Sequence, residues 1–207
     1  MKKNRKGLML VLSSPSGAGK TTICKEILKK IKELKLSISY TTRPKRKSEI
    51  DGRDYFFISE KKFKELKTKG FFIENAKVFD HLYGTPKNFV EENLIKGVDV
   101  LFDIDWQGAQ KLSNFSKTDI VSVFILPPSN SILKERLKKR NEDSSEIVNK
   151  RMSKAKSEIS HWIEYDYVLI NEDLETCTDE IVTILKAERK KRDRQKFIFS
   201  FIEKLLK

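Results

Sequence analysis

The chain is 207 residues long, with 43 lysines and arginines against 30 acidic residues and a net charge of +13 at neutral pH. That length allows one or two domains and a substantial core without covalent staples. With 38% hydrophobic and 35% charged residues the chain reads as a soluble globular protein with a highly charged surface, and its two distant cysteines and two scattered histidines exclude a zinc site.

Cys24 and Cys177 read as reduced thiols of a cytoplasmic protein. The lysines are spread along the whole chain, with no aromatic-interleaved basic patch of the RNA-binding kind. The charge therefore reads as a solvated lysine-rich face plus a site for small polyanions, rather than as a nucleic-acid footprint. The N-terminal Met1-Lys2-Lys3-Asn4-Arg5-Lys6 has the charge of a signal peptide, but the apolar run behind it is too short and leads straight into a loop of small residues. No stretch is long enough to span a membrane. Neither nucleic acid nor membrane is expected as a partner.

In chain order, Leu8 to Leu12 is an apolar run of strand type. Ser14-Pro15-Ser16-Gly17-Ala18-Gly19-Lys20-Thr21-Thr22 follows, and then a helical pattern from about Lys20 to Leu34, with Ile23, Ile27, Leu28 and Ile31 on one face. Strand, small-residue loop and helix together can wrap backbone N–H groups around phosphate oxygens. Gly17 and Gly19 permit close approach and positive φ, and the helix N-terminus adds partial positive charge. Lys20 can reach the outer phosphates, and the Thr21 hydroxyl can ligate a Mg²⁺ that bridges them. The general pattern has glycine where this chain has Ser14.

Leu36 to Tyr40 alternates as a strand, which Pro44 ends. Arg43 and Arg46 flank that proline, either as a forked phosphate holder or as incidental charges on a solvated turn. Ile50 to Arg53 is a turn carrying an Asp-Gly hairpin signal. Tyr55 to Ile58 is a strand, and Ser59 caps a helix from Glu60 to Lys69 that Gly70 ends. Phe71 to Ala76 puts Glu74 in an apolar run, where it is either buried and used or points to solvent from a half-exposed strand. Tyr83-Gly84-Thr85-Pro86 reads as a turn, and Asn88 to Lys96 as a helix stopped by Gly97. Val98 to Asp105 is a second buried-type strand. Its acids Asp103 and Asp105 fall at the carboxyl end, where open α/β sheets bind ligands and where phosphate-loop enzymes hold Mg²⁺ or its waters.

Ile120 to Leu126 is a third such strand, stopped by Pro127-Pro128. The basic segment Leu133 to Arg140, the polar loop Asn141 to Ser145 and the run Val148 to Met152 read as two helices with a polar tip. Inward arginines at 136, 140 and 151 would make them a lid over phosphates, with Arg136 and Arg140 on one helix face. Tyr167 to Glu172 is a last strand before a capped helix. The tail, 187–207, is basic and then apolar, and its spacing suits an amphipathic helix packed on the core or on another subunit. Strands alternating with helices imply an α/β fold, a parallel sheet between two helix layers. Residues 37–88 read as an inserted mixed α/β unit.

Four stretches in this order resemble guanylate kinases: Ser14 to Lys20, Ser39 to Arg46, Phe72 to Ala76 with Tyr83-Gly84-Thr85, and Asp103-Ile104-Asp105-Trp106-Gln107-Gly108-Ala109. The resemblance covers about residues 7–186. It implies a P-loop NTPase core (7–36, 89–127 and 160–186), a GMP-binding domain (37–88) and a helical lid (about 128–159), with 187–207 as a C-terminal helix beyond them. The activity it implies is transfer of the γ-phosphoryl group of Mg·ATP to GMP, with dGMP as a further candidate acceptor, giving ADP and GDP. Such a step is essential for recycling GMP in purine nucleotide metabolism. A homo-oligomer is compatible with it.

Carried over by motif position, the GMP phosphate would be held by Arg43, Arg46, Tyr55 and Tyr83, and the guanine read by Ser39, Glu74, Thr85 and Asp105. ATP would lie against residues 14–22 and Arg136 of the lid, with Arg140 and Asn171 where the family contacts adenine. Lys20, Arg43, Arg140 and Arg151 would neutralise the transferring group, Thr21 would ligate Mg²⁺, and Asp103 would orient its waters. The chemistry of guanine agrees: its N1–H and exocyclic NH₂ are adjacent donors, which one carboxylate can accept together. Adenine offers no such pair and would leave the carboxylate unpaired, at about 1–3 kcal/mol. Two other functions fit parts of the pattern. A peptide-binding scaffold module of this type would tend to lose the loop and acceptor residues, and they are present here. A kinase for another acceptor would not need both Glu74 and Asp105.

Overall fold

The computed structural model of the chain describes residues 5–78, 80–140 and 145–207, the side chains of 139, 140 and 145–150 excepted. In chain order it runs β1 (Met9–Ser13), α1 (Lys20–Lys30), β2 (Leu34–Leu36), β3 (Tyr40–Thr41), β4 (Phe56–Phe57), α2 (Glu60–Thr68), β5 (Phe72–Val78), β6 (His81–Pro86) and α3 (Lys87–Ile95). It continues with β7 (Asp99–Asp103), α4 (Trp106–Phe115), β8 (Ile120–Leu126), α5 (Asn130–Arg140), α6 (Ser145–Ile159), β9 (Tyr167–Ile170), α7 (Leu174–Glu188) and α8 (Ile198–Leu205).

Strand β1 is buried along its whole length because helices cover both of its faces. Leu8, Leu10 and Leu12 point to one side, against Ile23 and Ile27 of α1 and Ile181 and Leu185 of α7. Met9 and Val11 point to the other, against Val90 and Leu94 of α3 and Leu112 of α4. The period of two along the strand thus divides the core into two apolar layers around one sheet. That sheet has the order β2-β7-β1-β8-β9 with every neighbouring pair parallel. β1 lies at its centre, so the loop after β1 opens at the carboxyl edge where ligands bind in such sheets.

A second sheet, β4-β3-β6-β5, stands apart and is mixed: β3 runs parallel to β4 and antiparallel to β6, and β5 pairs antiparallel with β6. Its core is aromatic, with Phe63 of α2 stacked on Phe72 at 4.6 Å between ring centroids and Tyr40 stacked on Phe56 at 4.6 Å. The third unit is the pair α5 and α6, joined by Leu133, Leu137 and Ala155.

Several local expectations change. Helix α1 stops at Lys30, and Leu34–Leu36 leaves it to become an edge strand parallel to β7. The expected strand from Leu36 to Tyr40 is therefore two strands in two sheets, β2 and β3. Tyr83 to Pro86 is not a turn but half of β6, hydrogen-bonded to β5 in the register Glu74↔Thr85 and Ala76↔Tyr83. Gly52 does take positive φ (74°) in a turn, yet no hairpin follows, because β4 joins β3 in parallel. Helix α4 was not foreseen. Asp105 starts it as N-cap by accepting the Gly108 N–H at 3.1 Å. The Asn141–Ser145 tip falls almost wholly outside the described residues.

The tail is not one helix. Helix α7 ends at Glu188, a 3₁₀ turn follows at Arg192–Arg194, and α8 comes after it. The basic part is anchored: the buried Glu188 carboxylate accepts from Tyr167 Oη at 2.7 Å and Arg194 Nη2 at 3.3 Å. Helix α8 does not pack its apolar face on the core, since Phe199 is 71% and Leu205 65% exposed. The N-terminal segment and the end of α7 meet at Asp99, a fully buried acid the sequence pattern hides inside a strand. It accepts from Arg5 at 2.5 and 2.8 Å, from Arg189 Nε at 2.7 Å and from the Leu8 N–H at 2.9 Å.

Candidate active site

A cleft of about 560 Å³ runs from the phosphate loop, past the carboxyl ends of β1 and β7, to the inner face of the second sheet. Its floor is the loop after β1. Gly17 and Gly19 take φ of 94° and 102°, in the left-handed region that side chains with a Cβ resist. A Cβ at Gly19 would also stand 2.5 Å from Asn171 Nδ2. Asn171 is buried and donates to the Ala18 carbonyl at 2.7 Å, and Arg136 Nη1 donates to the same oxygen at 3.3 Å. Loop shape is thus held from behind by β9 and from above by α5.

Lys20 begins α1 and turns back across the loop. Its ammonium donates to the Ile104 carbonyl at 2.8 Å and pairs with Asp103 Oδ1 at 2.6 Å. Burial favours the neutral amine, but the Asp103 carboxylate outweighs it and pushes Lys20 up to about 12, so it stays charged. Thr21 Oγ1 donates to Asp103 Oδ2 at 3.1 Å. A hydroxyl and a carboxylate side by side at the helix start are hard oxygen donors, the set that suits a Mg²⁺ retaining several waters.

At the other end, Glu74 is 4% exposed on β5. Thr85 Oγ1, opposite it on β6, donates to Glu74 Oε1 at 2.6 Å, and Ser39 Oγ lies 3.5 Å from Thr85 Oγ1. Burial, with only partial relief from Thr85, lifts the Glu74 carboxyl to about 7; Asp105 adds to the rise and Lys111 opposes it. The solvent-facing alternative for Glu74 is therefore excluded. Asp105 lines the cleft beside it. Between the two ends stand Tyr55, Tyr83 and Arg46. Burial raises the Tyr55 hydroxyl to about 12, so it remains a hydrogen-bond donor.

Arg43 is packed against the second sheet rather than fully solvated. Its guanidinium lies 5.4 Å from the Tyr55 ring centroid and 5.7 Å from that of Phe57, and Nη2 pairs with Glu49 Oε1 at 2.6 Å. The same Glu49 accepts the Arg46 backbone N–H at 2.8 Å, so one carboxylate holds the Arg43 guanidinium and the Arg46 main chain.

Of the expected residues, Ser14, Pro15, Ser16, Gly17, Gly19, Lys20, Thr21, Thr22, Ser39, Arg46, Tyr55, Glu74, Tyr83, Asp103, Asp105, Arg136 and Asn171 line this one cleft. Ala18 and Thr85 are fully buried just behind its wall, and Arg43 sits beside Tyr55 rather than on the lining. Arg151 lies on α6, outside the lining. The Arg140 side chain is outside the described residues. Sequence reasoning missed Glu49, the Ile104 carbonyl and Glu158. Glu158 lies on α6, lines the cleft, and accepts the Ser16 N–H at 3.0 Å. An acid three residues from Arg46 was a legible signal for Glu49. A backbone carbonyl has none.

The family model for guanylate kinase matches residues 6–188. A protein named guanylate kinase from Zymomonas mobilis subsp. mobilis is 53% identical over 202 residues, covering 98% of this chain and 94% of its own length. One from Paramagnetospirillum magneticum is 51% identical with the same coverage, 98% and 94%. The crystal structure of guanylate kinase from Anaplasma phagocytophilum superimposes with a TM-score of 0.84 at 40% identity, covering 97% of this chain and 95% of that one.

Proposed function

The chain belongs to the guanylate kinase family, and from that premise we propose that it phosphorylates GMP with ATP by direct in-line transfer inside the cleft described above. The observation that carries this reading is the pairing of two unlike ends in one cavity: a phosphate loop with a charged lysine, and a buried carboxylate with a hydroxyl and a second acid beside it. The first suits a nucleoside triphosphate, and the second suits the two adjacent donors of guanine.

In this reading Lys20 holds the transferring phosphoryl group, and the loop amides hold the phosphates behind it. Glu74 accepts from guanine while Thr85, Ser39 and Asp105 fix its edge. Tyr55, Tyr83, Arg43 and Arg46 grip the GMP phosphate, so its oxygen faces the γ-phosphorus. With no covalent intermediate, catalysis is positioning and charge neutralisation. Arg151, with Arg140 from the facing lid helix, supplies positive charge to the transition state. Thr21 and, through water, Asp103 would hold a Mg²⁺, which neutralises charge on the β- and γ-oxygens when bound. Closing the lid excludes the water that would otherwise hydrolyse ATP.

The division into core, GMP-binding unit (37–88) and lid (about 128–159) belongs to the same proposal. It is supported by the separate second sheet and the separate α5–α6 apolar cluster. Use of dGMP is compatible with it, since none of the proposed base or phosphate contacts needs the 2′-hydroxyl. No nucleic acid is required, and among the described residues no helix is long and apolar enough to cross a membrane.

The test is coupled ADP release from the purified protein with Mg·ATP and each nucleoside monophosphate in turn. Turnover with GMP and none with AMP or UMP is expected. Equal turnover with AMP would remove the guanine assignment, and no turnover with any acceptor despite ATP binding would leave a binding module.

A further inference from the structure

Helix α6 touches the phosphate loop through one side chain that the transfer chemistry does not use. Glu158, in its last turn, is 8% exposed, and its Oε2 accepts the Ser16 N–H at 3.0 Å. Ser16 precedes Gly17 in the loop, and Ser16, Glu158 and Arg136 all line the cleft. Burial favours the neutral carboxyl, while the Ser16 N–H, Lys154 and Lys20 favour the anion and Asp105 opposes it. Loop amides in such a turn commonly serve anions. Here one of them is met by a carboxylate that the protein brings from its own lid.

Arg151 precedes Glu158 by seven residues on the same helix. Seven residues are almost two full turns, so both project from one face. That face is secured at one end by Glu158 on the loop. At the other end, beside Arg151, Ala155 and Met152 pack with Leu133 and Leu137 of α5. Rigid placement of a cationic group to within about 1 Å is worth large factors in rate when catalysis rests on positioning. Resting on the kinase reading above, we propose that Glu158 is a positioning residue: it registers α6, and with it Arg151, against the phosphate loop at Ser16. The loop gains a fixed edge from the same contact, so α6 is tied to the loop as α5 is through Arg136 and the Ala18 carbonyl.

The test separates reach from charge. Glu158→Asp keeps the charge but withdraws it by one methylene, and Glu158→Gln keeps the reach and an acceptor oxygen but not the charge. Both are compared with wild type and with Arg151→Ala by steady-state kinetics with Mg·ATP and GMP, after matching their thermal melts. Glu158→Asp should lose at least about tenfold in kcat, because the shorter side chain breaks the hydrogen bond to the Ser16 N–H and misplaces Arg151, with KM for GMP within about twofold. Glu158→Gln should retain most of kcat. Combining Glu158→Asp with Arg151→Ala should cost little beyond Arg151→Ala alone, because both act through one group.

Full kcat in Glu158→Asp, equal damage in Asp and Gln, or additive losses with Arg151→Ala would each overturn the proposal. A lowered KM for ATP with unchanged kcat would also overturn it, and would make the carboxylate a placeholder that ATP displaces. Wild-type turnover in the same assay keeps the two readings apart. Its absence would fail the kinase assignment, whereas normal wild-type turnover with an indifferent Glu158 would fail only this role.

Discussion

Replacing Glu74 by glutamine should stabilise the protein while removing its proposed activity. The carboxyl is 4% exposed and its proton affinity is lifted from the ordinary 4.5 to about 7, chiefly by burial, against the hydrogen bond from Thr85. Because the folded value is the raised one, the folded state binds this proton more tightly than the unfolded state does. Its contribution to stability is complete below about 4.5 and is lost as pH rises through about 7. At pH 8 the folded protein therefore carries an ionised, poorly solvated carboxylate. The difference between 4.5 and about 7, at about 1.4 kcal/mol per tenfold, makes that cost about 3 kcal/mol.

Glutamine carries no charge, and its carbonyl can still accept from Thr85. Glu74→Gln should thus melt about 6–12 °C above wild type at pH 8, at about 2–4 °C per kcal/mol for a chain of this size. At pH 5 the gap should shrink to under about 1 kcal/mol. Turnover with GMP should fall by at least about a hundredfold, since the amide NH₂ would face guanine donors. Differential scanning calorimetry at the two pH values reads the first effect. A gap of the same size at pH 5 and pH 8, or none at pH 8, would refute the reasoning, because burial of the charge would then not be what raises this group.

Asp99→Asn should cost about 3–5 kcal/mol in urea unfolding, since it leaves Arg5 and Arg189 around a buried amide that cannot balance them; KM values for ATP and GMP should stay near wild type. Gly19→Ala meets both a φ of 102° and Asn171 Nδ2 at 2.5 Å. ATP binding, followed by fluorescent-analogue titration, should weaken by at least about tenfold, with a stability loss of about 1–2 kcal/mol. Glu49→Ala releases the Arg43 guanidinium and the Arg46 N–H together. KM for GMP should rise about tenfold while KM for ATP holds, as steady-state kinetics would show.

Much of the candidate site is legible in the sequence. Gly17, Gly19, Lys20 and Thr21 are near-neighbours in sequence, and a strand, a loop and a helix place them with no help from distant residues. The same holds for Ser59 as a cap, where the Lys62 N–H reaches Ser59 Oγ at 3.2 Å. Local patterns misled where two sheets meet. The alternation from Leu36 to Tyr40 cannot say that β2 closes the parallel sheet while β3 leaves for the other. The glycine and proline of Tyr83-Gly84-Thr85-Pro86 carry turn chemistry, yet pairing with β5 makes them a strand. In the tail, apolar spacing predicted a helix packed on the core or on another subunit, and α8 leaves Phe199 and Leu205 exposed rather than packed on its own core.

By itself the sequence determined the alternation of strands and helices, the phosphate loop, and the types of side chain able to read guanine. The first two depend on residues within one or two turns of each other, and the third came only from the order of four separated motifs. Tertiary structure alone decided which carboxylates are buried: Glu74, Asp99, Glu158 and Glu188 are, and an apolar run around Glu74 left both burial and exposure open. It alone decided that Glu49 sets Arg43 and that Glu158 reaches Ser16 across 142 residues of chain. The physical reason is that desolvation and hydrogen bonding act through space. A carboxylate takes its proton affinity and its partner from whatever the fold packs around it, and no local pattern of residues encodes that packing.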